Sequence, residues 1–314
     1  MTHWQENPGA WVQGFSLETI EWGGPVAQVP SPSWWASDSE LLTGESPEHG
    51  PVLLKKLSRH AWSWRNKENL IAAATAAGEI GVGPRVLAAD SELGVILQER
   101  LSSEWRVGRL DLFRSKALRG NLIEARARFA ELDVPLSPRS PLIDLNQLLD
   151  ECDDRGIEVD PRVRSLIAYV SEFREPLLAY RKTIEMRPSH GEGTVSNVMV
   201  HHSGEVQLLG WGSAASLSAV HDHATLIAEA CPGALDIDGF IAELAPDAQP
   251  RDRAVIKLVT GIEHLRWAVL TRLRSSVDPD VNLDSIKYGL WRMTFADLLL
   301  TAPGTRAELE GALS

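Results

Sequence analysis

Apolar residues change rhythm several times along the chain, and each rhythm predicts a different kind of element. The first fifty residues show little helical spacing. Gly23-Gly24-Pro25 and Pro30-Ser31-Pro32 mark turns, and Val26–Val29 between them predicts a short strand. His49-Gly50-Pro51 leads into Val52-Leu53-Leu54-Lys55-Lys56-Leu57, an apolar strand with a basic end. Good helix formers then run from Asn66 to Gly78, where glycine ends the helix. Gly81-Val82-Gly83-Pro84 predicts a turn, and Arg85–Ala89 and Gly94–Glu99 predict two more strands.

Past Leu101 the spacing becomes helical over Leu110–Leu132 and Pro161–Ile184, with a proline-punctuated linker at Pro135–Pro141. Asn197–Val200 and Val206–Leu209 flank His201-His202-Ser203-Gly204-Glu205, which predicts a β-hairpin turning at Gly204. From His221 onward the texture is helical, broken near Pro232, Pro246, Pro250 and Pro279. The order predicts an α+β protein of two lobes. Residues 1–101 form a β-rich first lobe with one helix, and 102–314 a helical second lobe carrying a lone hairpin segment, 187–215.

Composition narrows the class. Of 314 residues, 44% are hydrophobic and 24% charged, as in ordinary globular proteins. No run reaches the roughly 20 apolar residues of a membrane span, and the N-terminus lacks the basic and apolar regions of a signal peptide. Two cysteines, Cys152 and Cys231, are too few for a disulfide framework, so a reducing cytoplasm is the expected compartment. A net charge of -12 argues against nucleic acid and anionic membranes as partners. It suits a cationic small molecule or a basic partner better, or simply a solvated surface.

The block that carries chemistry is His190-Gly191-Glu192-Gly193-Thr194-Val195-Ser196-Asn197, followed by the hairpin and Leu209-Gly210-Trp211-Gly212-Ser213. Phosphoryl transfer needs one lobe over the nucleotide phosphates and another that presents a base and metal ligands from a hairpin loop. The block resembles the catalytic segment of the aminoglycoside phosphotransferase and choline kinase family. There His-Gly-Asp is followed, four residues on, by Asn, and a hairpin leads to Ile-Asp-Trp and small residues. The resemblance spans about Val52 to Ala230 and implies a protein-kinase-like fold, with ATP and Mg2+ as cofactors if the protein is active. It implies that Glu192 stands for the catalytic Asp, with His190 beside it, and that Asn197 is a metal ligand. Lys55 or Lys56 would meet nucleotide phosphates, with Glu68 as the paired carboxylate. Gln98 and Glu99 would lie in the hinge that meets an adenine, Asp222 would brace the catalytic loop, and Trp211 would pack in the core.

Three departures remove phosphate and metal chemistry. Glu192 is one methylene longer than Asp, a shift of roughly 1 Å that can cost ~100-fold. Gly210 replaces the metal-binding Asp and offers no side-chain oxygen to a magnesium ion that requires near-octahedral oxygen ligands. Val29-Pro30-Ser31-Pro32-Ser33-Trp34-Trp35 stands where a glycine-rich loop would cradle phosphates, and its prolines have no N–H to offer. The expected function is a pseudokinase that binds a partner protein, a peptide or a small ligand in the family's interlobe cleft, for instance as companion subunit of a modifying enzyme in a biosynthetic pathway. The alternative is an active ATP-dependent phosphotransferase acting on a hydroxyl of a small molecule or peptide. If only a metal ligand is missing, Gly210→Asp should restore magnesium-dependent nucleotide binding.

Plainer roles compete for the same residues. Lys55 and Lys56 fit a charged strand edge, Glu68 fits a helix start favoured by the dipole, and Asn197 fits a loop brace. Adjacent His201 and His202 leave opposite faces of a strand, and His221 and His223 flank Asp222, so a histidine metal site is not expected. Trp267 and Trp291 are expected in the core. Trp34, Trp35, Trp62 and Trp64 form either a buried roof or an exposed anchor patch. Cys152, among Glu151, Asp153 and Asp154, is expected to be a poor nucleophile.

Overall fold

The computed structural model describes residues 19–29, 34, 36–230, 236–277 and 282–313. Trp4, Trp11, the Pro30–Ser33 stretch, Trp35, Cys231, Pro232 and Pro279 lie outside the described residues. The chain divides into two compact units, one of residues 1–137, 188–190 and 194–215, the other of 138–187, 191–193 and 216–314.

The first unit opens with an antiparallel sheet of β1 (Glu21–Pro25), β2 (Ser39–Ser46), β3 (Gly50–Leu57), β4 (Val86–Asp90) and β5 (Val95–Glu99), in the order β1-β2-β3-β5-β4. Alternation decides its faces: Val52 and Leu54 of β3 pack with Leu42 of β2, Val95 and Leu97 of β5, and Ile20. The strand expected at Val26–Val29 is not formed. The edge strand lies earlier, at Glu21–Pro25, because Trp22 pairs across from Gly44, where a Cβ would collide with Ile20 and crowd the indole ring. α1 (Lys67–Glu79) starts at Asn66, whose side chain accepts from the Asn69 N–H at 2.8 Å. It buries a stripe of Leu70, Ala73, Ala74 and Ala77.

Beyond β5 come β6 (Trp105–Val107) and α2 (Lys116–Ala130), then β7 (Met186–Ser189), β8 (Val198–His201), β9 (Val206–Leu208) and β10 (Ala215–Ser218). The expected hairpin is β8–β9, joined by β6 into a three-stranded sheet, while β7 and β10 make a two-stranded one. The hairpin groups with the sheet of the first unit, where sequence places it with the helical lobe. The reason is local: α2 packs on β9, and the Leu208 N–H donates to the Val82 carbonyl in the turn after α1 at 2.7 Å.

The second unit is helical: α3 (Pro141–Asp154), α4 (Pro161–Ser171), α5 (Arg174–Arg181), α6 (Ala219–Ala230), α7 (Ile237–Leu244), α8 (Pro250–Val277), α9 (Asn282–Leu300) and α10 (Thr305–Leu313). α8 is buried nearly all round from Ala254 to Leu270, which makes it the central post. α3, α4, α6, α9 and α10 pack against it. No helix among the described residues is long and apolar enough to cross a membrane.

Candidate functional site

The loop expected to carry catalysis is tightly held. The His190 Nε2–H donates to the Leu209 carbonyl at 2.7 Å, and its ring stands edge-on to Trp211 with centroids 4.7 Å apart. His190 thereby orients the loop through hydrogen bonding and packing. Trp211 is buried against Phe129 at 4.5 Å. Gly191, at φ +71°, donates its N–H to Asp222 Oδ1 at 3.2 Å. A Cβ at Gly193 would run into the Thr225 carbonyl, so only glycine lets the loop lie this close to α6. Glu192 sits between these two glycines and is 4% exposed.

A charged cluster in the second unit supports the same loop. Arg139 donates to the Gly191 carbonyl at 3.3 Å and to Glu263 Oε1 at 3.1 Å, and it also pairs with Asp144. Glu263 accepts from Arg266 Nε at 2.8 Å and lies 3.2 Å from His221 Nε2. Burial alone would raise the Glu263 carboxyl, but Arg266, His221 and Arg139 hold it well below the usual carboxylate range. Burial pushes His221 down, so it is a neutral donor to Glu263 near pH 7. A cavity nearby in this unit is lined by Arg139, Arg174, Arg181, Tyr180, Met186 and Val255.

At the hairpin exit the place of the missing carboxylate is filled. Gly210 adopts φ +71° and ψ 40°, a left-handed conformation that favours glycine. A Cβ there would lie under 3.0 Å from the Cγ, Nδ2 and Oδ1 atoms of Asn197. The Asn197 carboxamide therefore packs onto the bare Cα of Gly210, in the space a side chain at 210 would need. The Asn197 carbonyl also accepts from the Leu209 N–H at 2.7 Å. The expectation that Gly210→Asp simply adds a ligand is corrected: the new side chain must first evict Asn197.

One turn further on, the chain supplies its own cation. Arg65 donates from Nε to Asp38 Oδ2 at 2.8 Å, and its Nη1 bonds Ser213 Oγ. Arg65 is 9% exposed, and a Cβ at Gly212 would meet its Cδ at 3.1 Å. This pair fixes a guanidinium against Gly212-Ser213. The residues at the hairpin exit therefore do not fit the magnesium ion that the resemblance implies. One expected oxygen donor is absent, its space is taken by an amide, and a buried arginine stands alongside.

The residues expected to meet a nucleotide are placed as follows. Lys55 and Lys56 leave opposite faces of β3. Lys56 shares a face with Val52 and Leu54, opposite Glu40, and burial there lowers its ammonium, with Arg59 adding to the effect against Glu40. Lys55 lies between Leu41 and Ile96 in register. Glu68 is exposed. The polar residue that α1 buries is Asn69, which donates to the Ala214 carbonyl at 3.0 Å and accepts from the Ser137 N–H at 2.9 Å. Gln98 and Glu99 end β5, with Glu99 paired to Arg85 at 2.8 Å. The N–H groups of Glu99 and Arg100, in the segment expected to be a hinge, donate to the Arg85 and Pro51 carbonyls.

Arg65, Asp38, Asn69, Arg139 and Glu263 were not singled out by sequence. One expectation about the aromatic groups changes, and the one about Cys152 holds. Trp267 is buried, but Trp291 is 55% exposed on α9, so it is not a core residue. Trp62 is exposed under the Lys67 ammonium, 4.0 Å from its ring, whereas Trp64 is half-buried. Burial, with Asp153 and Glu151 adding, pushes the Cys152 thiol up to about 11.

No protein-family model matches the chain, and no curated protein matches it by sequence. Solved structures do. A choline/ethanolamine kinase family protein from Mesorhizobium loti superposes with TM-score 0.71 at 15% identity, covering 98% of both chains. The choline kinase LicA from Streptococcus pneumoniae gives 0.65 at 12% identity, over 87% of this chain and 94% of that one. A spectinomycin phosphotransferase, solved with ADP and spectinomycin, gives 0.51 at 11% identity, over 89% and 92%. The chain has the fold of the choline/ethanolamine kinases and aminoglycoside phosphotransferases, the protein-kinase-like fold.

Proposed function

We propose that this chain is a pseudokinase: a binding protein built on a phosphotransferase fold, which holds a partner protein or peptide without efficient phosphoryl transfer. The observation that carries the reading is Asn197 seated on Gly210, with Arg65 fixed beside Ser213 by Asp38. A triphosphate approaches with its negative charge neutralised by metal ions, and those ions need oxygen ligands where this chain places an amide and a guanidinium. The net charge of -12 favours a basic partner, and the exposed Trp62 is an aromatic anchor of the type common at interfaces. Service as companion subunit of a modifying enzyme, in the cytoplasm, is the role this reading suggests.

A second reading, an active phosphotransferase for a small-molecule or peptide hydroxyl, rests on one observation. The His190–Gly193 loop is retained and braced, with Glu192 buried within it. Thermal denaturation with ATP, with and without Mg2+, separates the two. A ligand that binds only the folded state raises the melting temperature. The pseudokinase predicts no magnesium-dependent shift; a shift that needs Mg2+ and disappears in Asn197→Ala overturns it in favour of the enzyme.

A further inference from the structure

We propose that the tip of the β8–β9 hairpin binds a borderline divalent transition ion, Zn2+ foremost, through His201, His202 and Glu104. The ligand atoms of these three side chains lie within 4.8 Å of one another. Backbone pairing puts them there. Trp105 of β6 sits opposite His201 of β8, and the His202 N–H donates to the Glu104 carbonyl at 3.2 Å. His201 is the last residue of β8 and His202 the first of the turn, so the strand's alternation of faces ends between them. Their ring centroids are 4.0 Å apart. The expectation that the two rings point to opposite faces is thus corrected.

The surroundings of His201 suit a metal ligand. Its Nδ1 lies 2.7 Å from Ser203 Oγ, and its Nε2 faces Glu104 Oε2 at 3.8 Å. The Ser203 N–H also donates to Nδ1 at 3.3 Å, so without metal that nitrogen accepts and Nε2–H faces the carboxylate; an ion taking Nε2 displaces this proton and turns Nδ1 into a donor to the hydroxyl oxygen. Metal-bound histidines are commonly oriented by such a bond on the other ring nitrogen. Trp105 packs against the ring at 5.0 Å and limits its rotation.

Two imidazole nitrogens and one carboxylate oxygen form a donor set suited to Zn2+, Ni2+ or Cu2+, with a fourth position for water. The set is poor for Mg2+ or Ca2+, which take oxygen ligands. His201 lies four positions along the chain from Asn197, about 13 Å of strand, so this site is distinct from the hairpin exit. A bound ion would fasten the start of β6 to the hairpin turn.

The test titrates the full-length, untagged chain with ZnCl2 by calorimetry, and with Co2+ by visible absorption. One ion per chain is expected, unaffected by excess Mg2+ or Ca2+. The Co2+ complex should show ligand-field bands without a thiolate charge-transfer band, which excludes a cysteine site. His202→Ala and Glu104→Gln should each weaken binding about tenfold or more. Both side chains are exposed, so neither variant should change the melting temperature without metal. No saturable binding at micromolar ion, a thiolate band, or binding that survives His201→Ala/His202→Ala overturns the proposal.

Discussion

Replacing Gly210 by alanine should destabilise the chain by more than backbone strain explains, and the excess should vanish when Asn197 is shortened. At φ +71° and ψ 40° a residue with a Cβ pays about 1–2 kcal/mol relative to glycine. The methyl group also overlaps the Asn197 carboxamide, under 3.0 Å from three of its atoms. Forcing a packed group aside costs about 1–3 kcal/mol. The single variant should therefore lose about 2–5 kcal/mol in total. In an Asn197→Ala background the overlap is absent and only the conformational part remains. A double-mutant cycle on urea unfolding midpoints, at constant m, should then give a coupling of about 1–3 kcal/mol. Additivity of the two substitutions to within about 0.5 kcal/mol would refute the claim that Asn197 occupies the space of a side chain at 210. Gly210→Asp should be destabilising in the same sense and should not bring magnesium-dependent ATP binding.

Other consequences can be measured separately. Arg65→Met removes the guanidinium from Asp38, whose side chain is only 12% exposed, and should cost about 3–5 kcal/mol in thermal or urea unfolding. Lysine at 65 should recover part of that. Burial lowers His221 and, with Arg292 adding, lowers His264 well below the ordinary imidazole range. The unfolded chain therefore takes up the extra protons. Stability present above about pH 6.5 should fall as pH drops, by up to ~1.4 kcal/mol per pH unit for each histidine. Neither ring nitrogen of His264 has a hydrogen-bond partner among the described residues, so His264→Leu should remove part of this slope and raise the melting temperature at pH 6 more than at pH 8. Cys152 is buried with its thiol near 11, so iodoacetamide at pH 8 should leave it unmodified until urea unfolds the chain, as peptide mass spectrometry would show.

Much of this architecture could be read from the order of residues. The apolar run Val52–Leu57, the capped helix after Asn66 and the two runs around Ser203-Gly204 each satisfy a local rule, and each became the expected element. β2 was not expected, because Thr43-Gly44-Glu45-Ser46 has the composition of a turn; it is a strand because β3 pairs with it along its whole length. The stripe Leu70, Ala73, Ala74, Ala77 already places Asn69 inward and Glu68 outward at helical spacing, a signal that motif matching to the nearest carboxylate overlooked. The bond between Arg65 and Ser213 spans 148 residues, and no spacing rule reaches that far. Gly210 was legible as a missing ligand. That Asn197 fills the gap was not, because the overlap depends on the left-handed backbone at 210.

The central claim is that the hairpin exit is closed to a metal–triphosphate by the chain's own side chains. It is tested most directly by following the γ-phosphate of labelled ATP with millimolar Mg2+, comparing the native chain with Glu192→Gln. The account predicts that both release or transfer label at the rate seen without protein. Turnover by the native chain that Glu192→Gln abolishes would contradict it.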